Sequence, residues 1–292
     1  MFGHLDQLLA PIIETLHLIT CWATFFSSRR VEALKRSREL ANFLVEDAGE
    51  KISFWNLLCT KSASLLKEGD QFKDTFTRAF EGKPPQLKNG KGIKAFAVCS
   101  LHEANKRVLS PFLLRTYEPP NGLTQNHGVE GTCNLDLATA MHATASVPGV
   151  VDRVRIEHNS REITLADGGF VANTPTALAI LEARYLWPNR QVGTVLSIGL
   201  DPSNTVAVDS YRSIDVARLH SPSLHYHRLI ATDAMRAHSP AHFEKKKTDL
   251  LEKNVRNFLR ESETEQLLMQ KTLDLLYKEG ENRRNDPKAA GE

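Results

Sequence analysis

An α/β fold follows from three features of the middle of this chain. Short apolar runs at 94–99, 112–117, 163–166 and 192–198 have the length and boundaries of buried strands. Segments with helical character lie between them at 135–144 and 176–186. Glycine and proline punctuate the joins, as at Pro148-Gly149 and Gly199. Strands separated by helices imply parallel pairing through crossovers, and so a layered α/β architecture.

The rest of the chain divides around that zone. With 292 residues, 41% of them apolar and 25% charged, it can bury one large core or two smaller ones. Residues 1–85 read as helices: an opening segment, then 30–45, then 62–80. Leu5 to Phe26 is long enough to span a bilayer, but Asp6, Glu14, His17 and Pro11 interrupt it. Its leucines and isoleucines recur at helical spacing, which favours an amphipathic helix on a core or a membrane surface. It carries neither the positive start nor the small-residue cleavage site of a signal peptide. A breaker-rich stretch from Gly82-Lys83-Pro84-Pro85 to Gly92 forms the boundary with the α/β zone of residues 86–200. Residues 201–292 are polar and histidine-rich, then helical, with Ser262 and Glu265 as a capping box and Leu267, Leu268, Leu275 and Leu276 as an apolar stripe. The last residues, 280–292, are charged and expected to fray.

Several function classes fall away on composition. A net charge of +2, with acids and bases interleaved, excludes a dedicated nucleic-acid binder. Cys21, Cys59, Cys99 and Cys133 are far apart, with no C-x-x-C and no histidine partner at finger spacing. That pattern fits a reduced, intracellular protein with no disulfide framework and no zinc site. His220, His225, His227, His238 and His242 form the one histidine-rich stretch, but Ser239-Pro240 breaks the helix that would align the last two. No acidic partner gives it an H-E-x-x-H pattern, so it is expected to be a polar surface loop and no metal is implied. Glu244 to Lys247 is expected to be a solvated charged face.

The most informative residues are Asp167-Gly168-Gly169. The apolar run at 163–166 delivers a carboxylate into a double-glycine turn, and a helix start follows, with Thr174 as N-cap and Pro175 in the first helical position. Glycines at 168 and 169 let the backbone approach a neighbouring segment closely. By itself such a turn is common, and most aspartates in it only bond their own loop.

The neighbours make it specific. Ala143-Thr144-Ala145-Ser146-Val147-Pro148 resembles the helix-ending element of patatin-like phospholipases, and Asp167-Gly168-Gly169 through Thr176 resembles their D-G-G-x-x-A-N-N-P-T segment. Leu181 to Pro188 and Val195 to Gly199 resemble the following helix and strand of the calcium-independent, intracellular branch. Ala95 to Cys99 and Phe112 to Tyr117 match the strand pair before them, so the resemblance runs from about 93 to 200. It implies a three-layer α/β/α patatin-like sheet with added N- and C-terminal helices. It also implies a lipid acyl hydrolase of the phospholipase A or acylglycerol lipase type, working through a Ser-Asp dyad without a cofactor. The implied partners are a glycerolipid or phospholipid substrate and a membrane surface contacted peripherally, in a cytoplasmic or membrane-peripheral location. Asp167 matches the dyad's proton acceptor, with Gly168 and Gly169 as its motif neighbours.

One half of the dyad has no counterpart in these residues. A serine hydroxyl is a weak nucleophile without a base in reach, and the oxyanion it generates needs fixed N–H donors. No G-x-S-x-G occurs in the sequence, and no glycine-rich oxyanion loop precedes Asp167. In the resembled family those elements come first, where residues 1–85 here read as helices, and the sheet is therefore expected to be incomplete. Ser100 follows a strand but is succeeded by Leu101 and His102 rather than the glycines of a tight elbow. Ser146 belongs to a helix end and Ser197 to a strand. Each is better explained by packing or capping than by nucleophilic attack. Two further readings of the chain are a catalytically inactive patatin-like protein that binds lipid or protein, and a truncated gene product.

Overall fold

The structure, a computed structural model, describes residues 82–88, 94–103, 108–119, 128–146, 151–172, 174–199, 221–230 and 260–285, together with isolated positions 73–74, 77–78, 80, 214, 218, 253 and 257. The opening segment, the 30–45 helix, most of 62–80, Cys21, Cys59, His220, His238, His242 and Glu244 to Lys247 lie outside the described residues. Contacts group the chain into two units, divided after Asn173.

The first unit is built on a mixed five-stranded sheet, and the α/β class holds. Its strands are β1 (Phe96–His102), β2 (Ser110–Arg115), β3 (Gly131–Thr132), β4 (Val154–His158) and β5 (Arg161–Asp167), in the order β3-β2-β1-β5-β4. The expected parallel pairing is overturned. β1 runs antiparallel to both β2 and β5, and β4 antiparallel to β5; within this sheet only β2 and β3 pair in parallel. For β1–β2 and β4–β5 the reason is connection length, because a parallel crossover needs a dozen or more residues. β4 and β5 are joined by Asn159-Ser160 alone, with φ of 52° and 58°, the left-handed pair that a tight hairpin turn requires.

Helix α1 (Leu137–Thr144) begins where Asp136 caps it, Oδ1 accepting from the Thr139 amide at 2.8 Å and Oδ2 from the Thr139 hydroxyl at 2.7 Å. Every residue of α1 is buried. Its Leu137, Ala138 and Met141 join Ala97, Cys99 and Leu101 of β1, Phe112 and Leu114 of β2, and Ile163 and Leu165 of β5 in one apolar cluster. These strand residues alternate along each strand, so a single face of the sheet meets the helix. Leu87 belongs to the same cluster, and the Leu87 amide and Pro85 carbonyl bond the 135–137 backbone. The breaker-rich stretch thus lends a side chain to the core. A one-turn helix, α2 (Gly169–Ala172), follows β5 and packs against β1 and β2.

The second unit holds α3 (Thr176–Leu186), β6 (Thr194–Gly199), β7 (His225–Ile230) and α4 (Glu263–Asn285). β6 and β7 pair in parallel. The helix start is shifted from expectation: Pro175 is the cap residue, without a side-chain cap bond, and Thr174 does not cap. Ile180, Ile214 and Leu224 form its small core, with Val192, Val195 and Tyr226 against them.

The surface-loop expectation for the histidines is corrected for two of them. His225 and His227 lie on β7, two residues apart and so on one face of the strand. His227 Nδ1 is 3.1 Å and His225 Nε2 3.3 Å from the hydroxyl of Thr272 on α4, which is itself 0% exposed and bonds the Leu268 carbonyl. Imidazoles satisfied by a buried hydroxyl can line a strand that reads as a polar loop. The expected stripe on α4 is largely on its exposed side, since Leu267, Leu268 and Leu276 are exposed and the fully buried position is Thr272. Among the described residues no helix is long and apolar enough to cross a membrane.

Candidate active site

Asp167 is the last residue of β5 and is 1% exposed. A buried carboxylate is tolerable only when hydrogen bonds replace water. Its Oδ1 accepts from the Gly169 amide at 2.6 Å, the bond that a D-G-G turn makes possible. The Asp167 amide donates to the Ser146 carbonyl at 3.0 Å, just beyond the end of α1. The Asp167 carbonyl accepts from the Ser100 hydroxyl at 2.5 Å, across from β1.

Gly168 is buried and pressed against β1. A Cβ on it would lie 2.2 Å from the Val98 carbonyl oxygen, so no side chain fits without moving backbone. The turn then closes into α2 as the Gly168 carbonyl accepts from the Val171 and Ala172 amides at 3.0 and 2.9 Å. Strand end, glycine contact and helix start together aim the carboxylate.

Strand register decides which side chains share its face. Cys99 is the direct partner of Asp167, and Phe112 is the partner of Cys99 on the next strand. These three therefore sit in a row on the side of the sheet that meets α1. Burial, and then the charge of Asp167, push the Cys99 thiol well above its usual range. It stays protonated beside the carboxylate and is not a thiolate nucleophile.

The three candidate serines occupy other roles. Ser100 pairs with Ala166, one residue out of step with Asp167, so its side chain leaves the sheet on the opposite face. Ser146 is buried and its hydroxyl bonds the His142 carbonyl at 2.8 Å. Ser197, in the second unit, accepts from the Arg228 guanidinium at 2.7 Å and lies 3.5 Å from the Thr176 hydroxyl. Among the described residues no cluster of three His, Cys, Asp or Glu side chains could hold a metal. The sequence marks Asp167 and its glycines as candidates and carries no mark of Cys99 or of the bonds from Ser100 and Ser146. Those depend on cross-strand register, which has no local signature.

A family model for patatin-like phospholipases matches residues 22–180, more than half of the 292. The chain belongs to the patatin-like phospholipase family. The family match starts far upstream of residue 93, where the motif resemblance begins, and it includes Asp167, Gly168 and Gly169. Among curated proteins, the chain is 33% identical over 69 residues to Phospholipase A I of Arabidopsis thaliana, covering 24% of this chain and 5% of that protein. It is 27% identical over 107 residues to the human calcium-independent phospholipase A2-gamma, covering 35% of this chain and 13% of that protein. The rabbit (Oryctolagus cuniculus) protein of the same name is 30% identical over 88 residues, covering 30% of this chain and 10% of its own length. The matched part thus spans a small fraction of each of these patatin-like relatives. No solved structure matches the chain.

Proposed function

We propose that this chain carries the proton-accepting half of a patatin-type lipid acyl hydrolase, with Asp167 as the base. The observation that carries the reading is a carboxylate 1% exposed, with one oxygen fixed by a glycine amide at 2.6 Å, inside the family-matched segment. A general base must be held rigidly, and a buried, bonded carboxylate at a strand end is held so.

In this reading Asp167 takes the hydroxyl proton of a serine as that oxygen attacks the acyl carbon of a glycerolipid or phospholipid. The carbonyl electron pair moves onto the oxyanion, which backbone amides stabilise. The ester C–O bond then breaks, and Asp167 returns the proton to the departing alcohol. Water repeats the sequence to free the fatty acid. The serine is the unassigned part, since no G-x-S-x-G occurs among the 292 residues. No cofactor is required, and a lipid substrate implies peripheral contact with a membrane inside the cell. The relatives named as phospholipases support the substrate class.

The test compares fatty-acid release from phosphatidylcholine vesicles by two samples: the protein purified from its natural source, and the isolated 292-residue chain. Release by the natural protein and none by the isolated chain is expected. Release by neither would replace the hydrolase with a non-catalytic lipid- or protein-binding protein. Release by the isolated chain would place the nucleophile within these residues.

A further inference from the structure

Ser100 has the position of a nucleophile in sequence, at the end of an apolar strand run, and the wrong position in space. It is 0% exposed and faces away from the Asp167 carboxylate, so it meets neither solvent nor the base. A hydroxyl in such a place needs a partner, because burying one unbonded is costly. Alanine would serve as well if filling space between Ala166 and Pro111, its partners on the two neighbouring strands, were all that was required. The hydroxyl instead donates at 2.5 Å to one acceptor, the main-chain carbonyl of Asp167.

That carbonyl lies at the point where the chain leaves the sheet. Two residues later the Gly169 amide holds the carboxylate oxygen, and the peptide between them is pressed on Val98. On the other side the Ser146 carbonyl holds the Asp167 amide. The main chain of Asp167 is therefore pinned at both ends by serine residues, from β1 and from the end of α1. A shift of the carbonyl tilts the Asp167–Gly168 peptide, and the next peptide, whose Gly169 amide aims the carboxylate, must follow.

We infer that Ser100 is a positioning residue for Asp167: its hydroxyl fixes the Asp167 carbonyl, and through the Gly168 turn it fixes the direction of the carboxylate. The catalytic meaning of that positioning rests on the proposed role of Asp167 as base. The positioning itself does not.

The experiment has two arms. In the 292-residue chain, amide hydrogen exchange is compared in wild type, Ser100→Ala and Ser100→Thr. Ser100→Ala is expected to speed exchange at Gly169 by about tenfold, as expected for loss of one hydrogen bond, while amides of α1 and the rest of β5 keep their protection. Ser100→Thr, which keeps the hydroxyl, restores protection. Unchanged Gly169 exchange in Ser100→Ala overturns the inference, whatever the activity. In the natural protein, Ser100→Ala lowers kcat for vesicle hydrolysis about tenfold or more with KM unchanged, and Ser100→Thr recovers it. A normal kcat in Ser100→Ala, with hydrolysis abolished by Asp167→Asn, overturns the inference and spares the base. Hydrolysis that survives Asp167→Asn overturns the base assignment and leaves the exchange result standing.

Discussion

At the residue scale, Gly168 is as constrained as the aspartate before it. A methyl group there would overlap the Val98 carbonyl oxygen at 2.2 Å and its carbon at 2.7 Å, and both belong to backbone in the middle of the sheet. Overpacking of this kind costs about 2–3 kcal/mol or more, because strand and turn must separate. Gly168→Ala is expected to lower the urea midpoint accordingly, with the m-value unchanged. An unchanged midpoint would mean that the turn does not press on β1. The sequence made the glycine pair visible and suggested close approach, but it could not say what Gly168 approaches. Cys99 shows the same limit. As a lone buried cysteine it carries no sequence signal, and only the pairing of β1 with β5 sets it beside Asp167.

At the element scale, the pieces that sequence reading placed well are those with local causes. α3 runs from Thr176 to Leu186 as expected, since a helical run lies between two prolines, Pro175 and Pro188. β5 ends where the glycine turn begins. The pieces it missed are held by distant partners. β4 alternates buried Val154 with exposed Arg155 and Glu157 and was hidden because its turn, Asn159-Ser160, lacks the glycine of a common hairpin signal. β7 was hidden because its inward histidines are polar. Without β4, helix and strand alternate in the sequence, and that alternation implies parallel pairing. The turn gives a direct check. Ser160 sits at φ 58°, a region that costs an L-residue more than glycine. Ser160→Gly is therefore expected to stabilise the first unit by roughly 0.5–1 kcal/mol, glycine's greater unfolded entropy being the smaller term. A destabilised variant in thermal unfolding would argue against a left-handed turn.

At the scale of the whole molecule, acid should weaken the fold before it protonates many carboxylates. Burial, opposed by Glu130 and reinforced by Arg161, holds His158 below its ordinary value of 6.5. Burial and the charge of Arg153 do the same for His102. Both are proton-poor in the folded chain relative to the unfolded one. The stability they confer is present above about pH 6.5 and is lost as pH falls from there through their folded values. The melting temperature should decline between pH 7 and pH 5, and less steeply in His158→Gln. A flat profile, or an equal slope in the variant, would contradict this.

The patatin-like assignment is itself a whole-molecule result. Motifs around Asp167 made the family legible, because backbone turns and helix ends write themselves into glycine, proline and small-residue patterns. The nucleophile was not legible, since no serine elbow is written in these residues and the three serines considered all bond main chain or other side chains. The central claim is that Asp167 is the base for acyl-ester hydrolysis. Asn at that position keeps an oxygen for the Gly169 amide while removing the group that takes the proton, so the fold should survive the change. The decisive measurement is fatty-acid release from phosphatidylcholine vesicles by the natural protein and its Asp167→Asn variant, with equal melting temperatures as the control. A loss of a hundredfold or more, on the scale of general-base catalysis, is predicted. Hydrolysis at the wild-type rate in a folded Asp167→Asn protein would contradict it.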